Sequence, residues 1–153
     1  MSAEKPHLRL RKHLDQPAVP HTWPAGIAPQ LLQDIDPHLA HAVLVEAFPG
    51  LVAAFEDWHG NLTSDSEYDP SLCIAAVAND GSVVGFVQFW TSDFIKDLAV
   101  LPAWRRHGVG EALMRHTFHL FSKRGAQHVD LKVKTDEVGA RRLYARLGMV
   151  EVI

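Results

Sequence analysis

The alternation of apolar and polar positions predicts a chain of mixed strands and helices. The apolar runs "LCIAAVA" and "SVVGFVQFW" are separated by Asn79-Asp80-Gly81, residue types that suit a tight turn because they tolerate positive φ. These runs predict a hairpin of two buried strands. The run "FIKDLAVL" predicts a third strand soon after them.

Helical spacing follows this third strand. Apolar residues recur every three or four positions from Gly108 to about Arg124, which predicts an amphipathic helix. "HVDLKVKT" alternates as a half-buried strand does, and "EVGARRLYARLG" predicts a short helix before a last strand, "MVEVI". A strand, a helix and a strand in this order predict a right-handed parallel crossover.

The first half of the chain gives weaker signals. "GIAPQLLQ" predicts a strand, and Asp34 or Asp36 can cap the helix that follows. A second helix is expected from Leu51 to about Trp58, and the segment "HGNLTSDSEYDPS" after it reads as a polar, acidic loop.

The N-terminal segment "HLRLRKHL" predicts a short strand outside the main fold, followed by a Pro-rich connector. We therefore divide the chain into an arm and connector, residues 1–25, and one domain, residues 26–153. A length of 153 residues and an apolar content of 47% suit one core. The absence of a signal-like or membrane-spanning apolar run predicts a cytoplasmic protein.

Charge is divided unevenly along the chain. No Lys or Arg lies between Leu14 and Ile95, whereas basic residues outnumber acidic ones from Lys96 onward. Either the acidic and the basic parts of the chain bind ligands of opposite charge, or the acidic part simply forms a solvated surface. Cys73 is the single cysteine and stands in an apolar run, so we expect a buried structural thiol.

The stretch "PAWRRHGVGEALMRH" places two arginines and two glycines at the start of the predicted helix. A helix N-terminus attracts anions, and glycines let a diphosphate approach the backbone N–H groups. The alternative is an ordinary turn with solvated arginines. "GVGEAL" lacks the Lys-Ser/Thr of a P-loop, and Leu113 stands where a dinucleotide-binding fold has its third glycine.

"LAVLPAWRRHGVGEALM" resembles the acyl-CoA-binding motif of the GCN5-related N-acetyltransferase (GNAT) superfamily, in which Arg105, Gly108 and Gly110 fill the motif positions. A second family motif is matched at Ala140, Leu143, Tyr144 and Gly148. The chain departs from the second motif at two positions. These are Glu137, where the family commonly has Asn, and Met149, where it commonly has Phe.

The resemblance implies a single-domain α/β fold: a mixed, mostly antiparallel twisted sheet with a parallel splayed strand pair, flanked by helices. It also implies acetyl-CoA as co-substrate, with no metal. The family sheet usually ends in a two-stranded hairpin, and this sequence supplies only its first strand. The cofactor-binding residues that the resemblance implies are Leu98, Ala99, Val100, Arg105, Arg106, His107, Gly108, Val109, Gly110, Glu137 and Ala140.

The resemblance further implies direct transfer of the acetyl group to an amine. A backbone N–H near Val100 would hold the thioester carbonyl, and Tyr144 matches the tyrosine that often protonates the leaving thiolate. Asp97 is the first candidate for a general base, with Glu56 and His59 next; a water chain is the alternative.

Because the first helices of this family border the acceptor, the acid-rich "FEDWHGNLTSDSEYD" predicts a cationic amine acceptor: a polyamine, an aminoglycoside-like amine, a lysine or an N-terminal amine. A non-catalytic acyl-CoA-binding or regulatory module is the alternative. Nucleic acid and membrane are not expected as partners. The pairs His38/His41 and His116/His119 lack the further ligands of a metal site.

The N-terminal strand-like segment also has alternative interpretations. It covers the open sheet edge, within the chain or by exchange in a homodimer, or it is a disordered basic arm.

Overall fold

The computed structural model describes residues 6–16 and 22–152. The strands and α-helices of this part of the chain are β1 (His7–His13), β2 (Ile27–Leu31), α1 (Pro37–Ala47), α2 (Phe55–Ser64), β3 (Cys73–Ala78), β4 (Val83–Trp90), β5 (Phe94–Val100), α3 (Val109–Lys123), β6 (His128–Lys134), α4 (Val138–Arg146) and β7 (Val150–Glu151). The strands form one sheet in the order β2-β3-β4-β5-β6-β1-β7.

The sheet is antiparallel except for the pair β5 and β6, which runs parallel. The predicted fold class, a mixed and mostly antiparallel sheet with one parallel pair, is thereby confirmed. The hairpin of β3 and β4 is also confirmed, and its turn is held by a hydrogen bond from the Ser82 N–H to Asp80 Oδ1 at 2.9 Å.

Helices cover both faces of the sheet. Helices α3 and α4 bury residues such as Met114, Phe121 and Tyr144 on one face. Helices α1 and α2 bury Leu44 and Leu62, among others, on the opposite face. Because helices shield both faces of the sheet from water, the sequences of the central strands are continuous apolar runs rather than alternating apolar and polar residues.

Helix α2 begins later than the sequence predicted. The helix expected at residues 51–58 is wrong, since α2 spans Phe55–Ser64 and occupies much of the predicted loop. Trp58 and Leu62, one helical turn apart, are its buried residues, and Leu51 is 71% exposed. Acidic residues in the first turn of α2 favour this start because they complement the helix dipole.

The N-terminal strand lies inside the sheet, so the prediction that it stands outside the main fold is wrong. Strand β1 pairs antiparallel with β6 from His7↔Lys134 to His13↔His128, and its other edge pairs with β7. The open edge of β6 is thus covered within the chain. The domain boundary near residue 25 stays a prediction, because much of the connector, residues 17–21, is outside the described residues.

A buried carboxylate links β1 to β6. The carboxylate of Asp130 is 1% exposed and accepts hydrogen bonds from Arg9 Nε at 2.7 Å, Arg11 Nε at 2.8 Å and Arg11 Nη2 at 2.9 Å. Two arginines therefore satisfy one buried carboxylate, as a buried charge requires.

Among the helices of the described residues, none is both long enough and apolar enough to span a membrane.

Candidate functional site

Strands β5 and β6 separate soon after they begin. Their parallel register pairs Phe94 with Asp130 and Ile95 with Leu131, and it extends no further along the two strands. From Lys96 onward, β5 keeps β4 on one edge and faces a gap on the other. The splayed pair that the resemblance implied is present.

Backbone groups of β5 face this gap. Val100 lies opposite Gly85 of β4, and the N–H of Leu101 donates to the Val84 carbonyl oxygen at 2.9 Å. Because hydrogen bonding alternates along an antiparallel pair, the N–H and C=O groups of Leu98 and Val100 point away from β4. A strand-like ligand in the gap would find these groups available.

The gap between β5 and β6 belongs to a cavity of about 1230 Å³, which extends from the start of α3 to the space beside α1 and α2. Its wall includes all but one of the residues predicted to bind the cofactor, together with Tyr144 and the first candidate base, Asp97. Those in the wall are Asp97, Leu98, Ala99, Val100, Arg105, Arg106, Gly108, Val109, Gly110, Glu137, Ala140 and Tyr144. The exception is His107, which is exposed and packs against Trp104 with ring centroids 5.6 Å apart.

The N-terminus of α3 opens into this cavity. Gly108 precedes the helix with φ of 80°, a conformation that side chains disfavour. No side chain caps the helix, so the N–H groups of its first turn lack intrahelical partners. Gly110 lies where a Cβ atom would contact Leu143 and Val100 at 3.5 and 3.6 Å. Bare backbone donors therefore stand at the junction of α3, α4 and β5.

Positive charge surrounds this part of the cavity. Arg105 and Arg106 border the start of α3, and Arg106 adopts a left-handed φ of 65°. A non-glycine residue in this conformation carries some strain. The remaining basic residues of the wall, contributed by β1, β5, β6 and α4, are His7, Lys96, Lys132, Lys134, Arg142 and Arg146. Such an arrangement suits a phosphorylated ligand.

Tyr144 projects from α4 into the same wall and is 8% exposed. Burial, and to a lesser degree the charge of Glu137, raises the pKa of its hydroxyl to about 12. Glu137, which replaces the Asn common in the family, precedes α4 and makes no side-chain capping bond there. Tyr144 is therefore protonated, and able to donate a proton, across the physiological pH range.

The three candidate bases occupy different positions. Asp97 lies in the cavity wall and pairs with Lys96 Nζ at 2.9 Å. Glu56 is exposed on α2 and absent from the wall. His59 stacks on Phe55 with centroids 5.3 Å apart and is also absent from it. Of the three candidate bases, only Asp97 lies in the cavity wall.

Two wall residues were missed by the sequence reasoning. Gln88 of β4 is 1% exposed, and Trp58 of α2 is 7% exposed. Both amide atoms of Gln88 and Nε1 of Trp58 are buried without a hydrogen-bond partner. The available signal was a single glutamine within the apolar run "VVGFVQFW".

Other reactive groups lie apart from this chemistry. Within residues 6–16 and 22–152, no group of three or more His, Cys, Asp or Glu side chains is arranged to hold a metal ion. His41 Nε2 lies 2.8 Å from the Ala53 carbonyl oxygen. Cys73 is fully buried, and burial raises the pKa of its thiol to about 12, which makes it a poor nucleophile.

The fold and this cavity define the class of protein. The model of the acetyltransferase (GNAT) family matches residues 26–149, and the chain belongs to this family. Streptothricin acetyltransferase of Streptomyces lavendulae is 35% identical over 68% of this chain and 59% of its own length. A putative [ribosomal protein bS18]-alanine N-acetyltransferase of Bacillus subtilis (strain 168) is 26% identical over 82% of this chain and 80% of its own.

A solved structure shows the same architecture. The GCN5-related N-acetyltransferase from Sphaerobacter thermophilus aligns with a TM-score of 0.84 and 31% identity, over 95% of this chain and 48% of that one. The chain thus spans about half the length of this structure and 59% of the Streptomyces relative.

Proposed function

We propose that the protein transfers an acetyl group from acetyl-CoA directly to a primary amine. The observation that carries this proposal is the continuity of the cavity, which joins the open N-terminus of α3, the free edge of β5 and the hydroxyl-bearing Tyr144. The family membership supports the same chemistry.

The cofactor would be held in two parts. The diphosphate binds the first-turn N–H groups of α3, with Arg105 and Arg106 supplying charge-assisted hydrogen bonds. The pantetheine arm runs along the free edge of β5 and pairs with Leu98 and Val100. The Val100 N–H then donates to the thioester carbonyl oxygen and stabilises the oxyanion that develops there.

The transfer itself moves one acetyl group and one proton. The amine nitrogen forms a bond to the thioester carbon, and the carbon–sulfur bond breaks as the tetrahedral intermediate collapses. Tyr144 gives its proton to the departing thiolate and regains one from the nitrogen of the intermediate, which must lose a proton to become the amide, or from solvent. The amine must be deprotonated before attack; Asp97 does this once the carboxylate leaves Lys96.

The acceptor would enter from the side of α1 and α2 and carry positive charge. The acid-rich segment, residues 55–69, contributes Asp65 to the cavity wall, and β5 contributes Asp97. Glu56 and Asp57 are exposed and absent from the wall, so only part of the acidic segment faces the acceptor. The electrostatic preference for cations therefore rests on Asp65 and on Asp97, whose charge is partly offset by Lys96, and it is screened by salt.

Initial rates with matched amines test the acceptor. The α-amides of arginine, glutamine and glutamate share one α-amine and differ in side-chain charge. We expect kcat/KM to fall in that order, by about tenfold from first to last, which corresponds to about 1.4 kcal/mol. Release of the coenzyme A thiol measures the rate, and spermidine serves as a polyamine acceptor. The highest rate on the glutamate amide would contradict the proposed cationic acceptor.

Replacing Tyr144 by Phe tests the proton donor. We expect kcat to fall by about 10²-fold, within the range for general acids, while the dissociation constant of acetyl-CoA is unchanged. Because the pKa of Tyr144 is raised to about 12, its ionisation contributes no alkaline decline to the wild-type rate below about pH 11. A variant with full kcat would assign Tyr144 a packing role only.

The second candidate function is a non-catalytic acyl-CoA-binding module. Two observations favour it: Glu137 replaces the family's common Asn, and Asp97 is held in an ion pair with Lys96. Such a module would bind acetyl-CoA in the same cavity and release no thiol when any amine is supplied.

A further inference from the structure

The cavity wall contains unpaired polar atoms deep among apolar side chains. Within the described residues, the buried side-chain nitrogen and oxygen atoms that lack a partner are Nε2 and Oε1 of Gln88 and Nε1 of Trp58. Both residues belong to the wall of the cavity. Buried polar groups are normally hydrogen-bonded, so unpaired ones that line a cavity mark a place where a polar partner can bind.

The surroundings of Gln88 and Trp58 do not account for these polar groups. The ring of Trp58 packs edge-on against Phe86, with centroids 6.2 Å apart, and Phe86 is fully buried. Leu44 of α1 and Leu62 of α2 are buried in the same part of the wall. Packing alone would be served as well by a leucine at position 88, because an unpaired buried amide opposes folding.

Gln88 is close to the strand at which the transfer is proposed. It lies opposite Asp97 in the register of β4 and β5, and Val87 lies opposite Leu98. Directly opposite residues of an antiparallel pair project from the same face with Cβ atoms about 4.5–5.5 Å apart. The carboxamide of Gln88 thus projects from the sheet face that carries Asp97 and that α1 and α2 cover.

The donors and acceptors of this pair define what can bind it. A glutamine amide offers two N–H donors and one acceptor oxygen, and an indole offers one N–H donor. A bare ammonium group would leave the donors unpaired, and a carboxylate would leave Oε1 unpaired. A carboxamide or peptide group, which has an N–H and a C=O side by side, can pair with both kinds.

We propose that Gln88 and Trp58 bind a carboxamide or peptide group next to the amine that is acetylated, and so determine acceptor specificity. This inference rests on the proposed acetyl transfer. The acceptor class is then an amine adjacent to an amide, such as the N-terminal amine of a peptide. We still assign the first-turn N–H groups of α3 and the basic residues beside them to cofactor binding.

Gln88→Leu tests the inference with two acceptors of similar shape. Alaninamide carries the amide, and 2-aminobutane has an ethyl group in its place. We expect the ratio of kcat/KM values, alaninamide over 2-aminobutane, to fall at least about tenfold in Gln88→Leu and less in Trp58→Phe. Comparing ratios cancels the difference in basicity between the amines. Gln30→Leu, the same change at an exposed position of β2 outside the cavity wall, should leave the ratio unchanged.

Stability separates this role from a structural one. Because the buried amide of Gln88 is unpaired, Gln88→Leu should unfold at the wild-type temperature or above it, and it should bind acetyl-CoA with unchanged affinity. An unchanged acceptor ratio in a folded, cofactor-binding variant would overturn this inference alone. Wild-type protein that acetylates spermidine but neither of these two amines would likewise overturn this inference alone. Wild-type protein that binds acetyl-CoA and acetylates none of the three amines would overturn the proposed transfer and this inference with it.

Discussion

Replacing Asp130 by Ala is expected to lower the free energy of unfolding by about 1.5–3 kcal/mol, the usual range for hydrogen bonds to a charged group, because the two arginines that remain are partly exposed and can be solvated. The substitution leaves Arg9 and Arg11 without the carboxylate that they share and removes the polar link between β1 and β6. Chemical denaturation at pH 7 measures the loss. Glu46→Ala, at an exposed position of α1, is the matched control and should change stability little.

The pH dependence of stability gives the same ion pair a second readout. Burial by itself raises the pKa of Asp130, but the hydrogen bonds from Arg11 and Arg9 outweigh it, so the pKa lies below its usual range. A depressed pKa stabilises the fold above the unfolded value, about 3.9, and this stabilisation is lost as pH falls through the folded value. The difference between wild type and Asp130→Asn should therefore shrink below about pH 4. A constant difference between pH 7 and pH 3 would contradict this account of the pair.

Replacing Gly108 by Glu is expected to weaken acetyl-CoA binding at least about 100-fold. A carboxylate at this position would meet the cofactor diphosphate at the start of α3, and like charges there repel. The side chain also strains a backbone with φ of 80°. Calorimetric titration with acetyl-CoA measures the affinity.

Two control variants separate charge from strain at Gly108. Gly108→Ala carries the strain without the charge and should weaken binding much less. Gly60→Glu adds the same charge on α2, where open space surrounds the glycine and no cavity wall is altered, so it should bind acetyl-CoA normally. Equal affinity of Gly108→Glu and wild type would exclude the start of α3 as the diphosphate site.

Apolar runs and helical spacing predicted the elements that are most deeply buried. The hairpin of β3 and β4 and the long helix α3 were found close to their expected bounds, because their apolar spacing and turn residues agree with the fold. Helix α2 was misplaced because only two of its 10 residues, Trp58 and Leu62, are buried, so few apolar positions mark it within a polar segment.

Tertiary pairing determined what periodicity could not predict. Strand β1 pairs with β6, where its Arg9 and Arg11 share the carboxylate of Asp130, more than a hundred residues away in sequence. The role of Gln88 depends on which polar groups lack partners after folding, and no local pattern reports this. The gap between β5 and β6, which forms the site, was predicted from the family resemblance rather than from the strands themselves.

Mass spectrometry of the reaction products tests the central claim most directly. The protein is mixed with acetyl-CoA and either spermidine or alaninamide, and the acetylated amine and free coenzyme A are quantified together over time. The account predicts equal amounts of the two products, formed by wild type and greatly slowed in Tyr144→Phe. Saturable binding of acetyl-CoA with no acetylated amine from either acceptor would contradict it and favour the non-catalytic module.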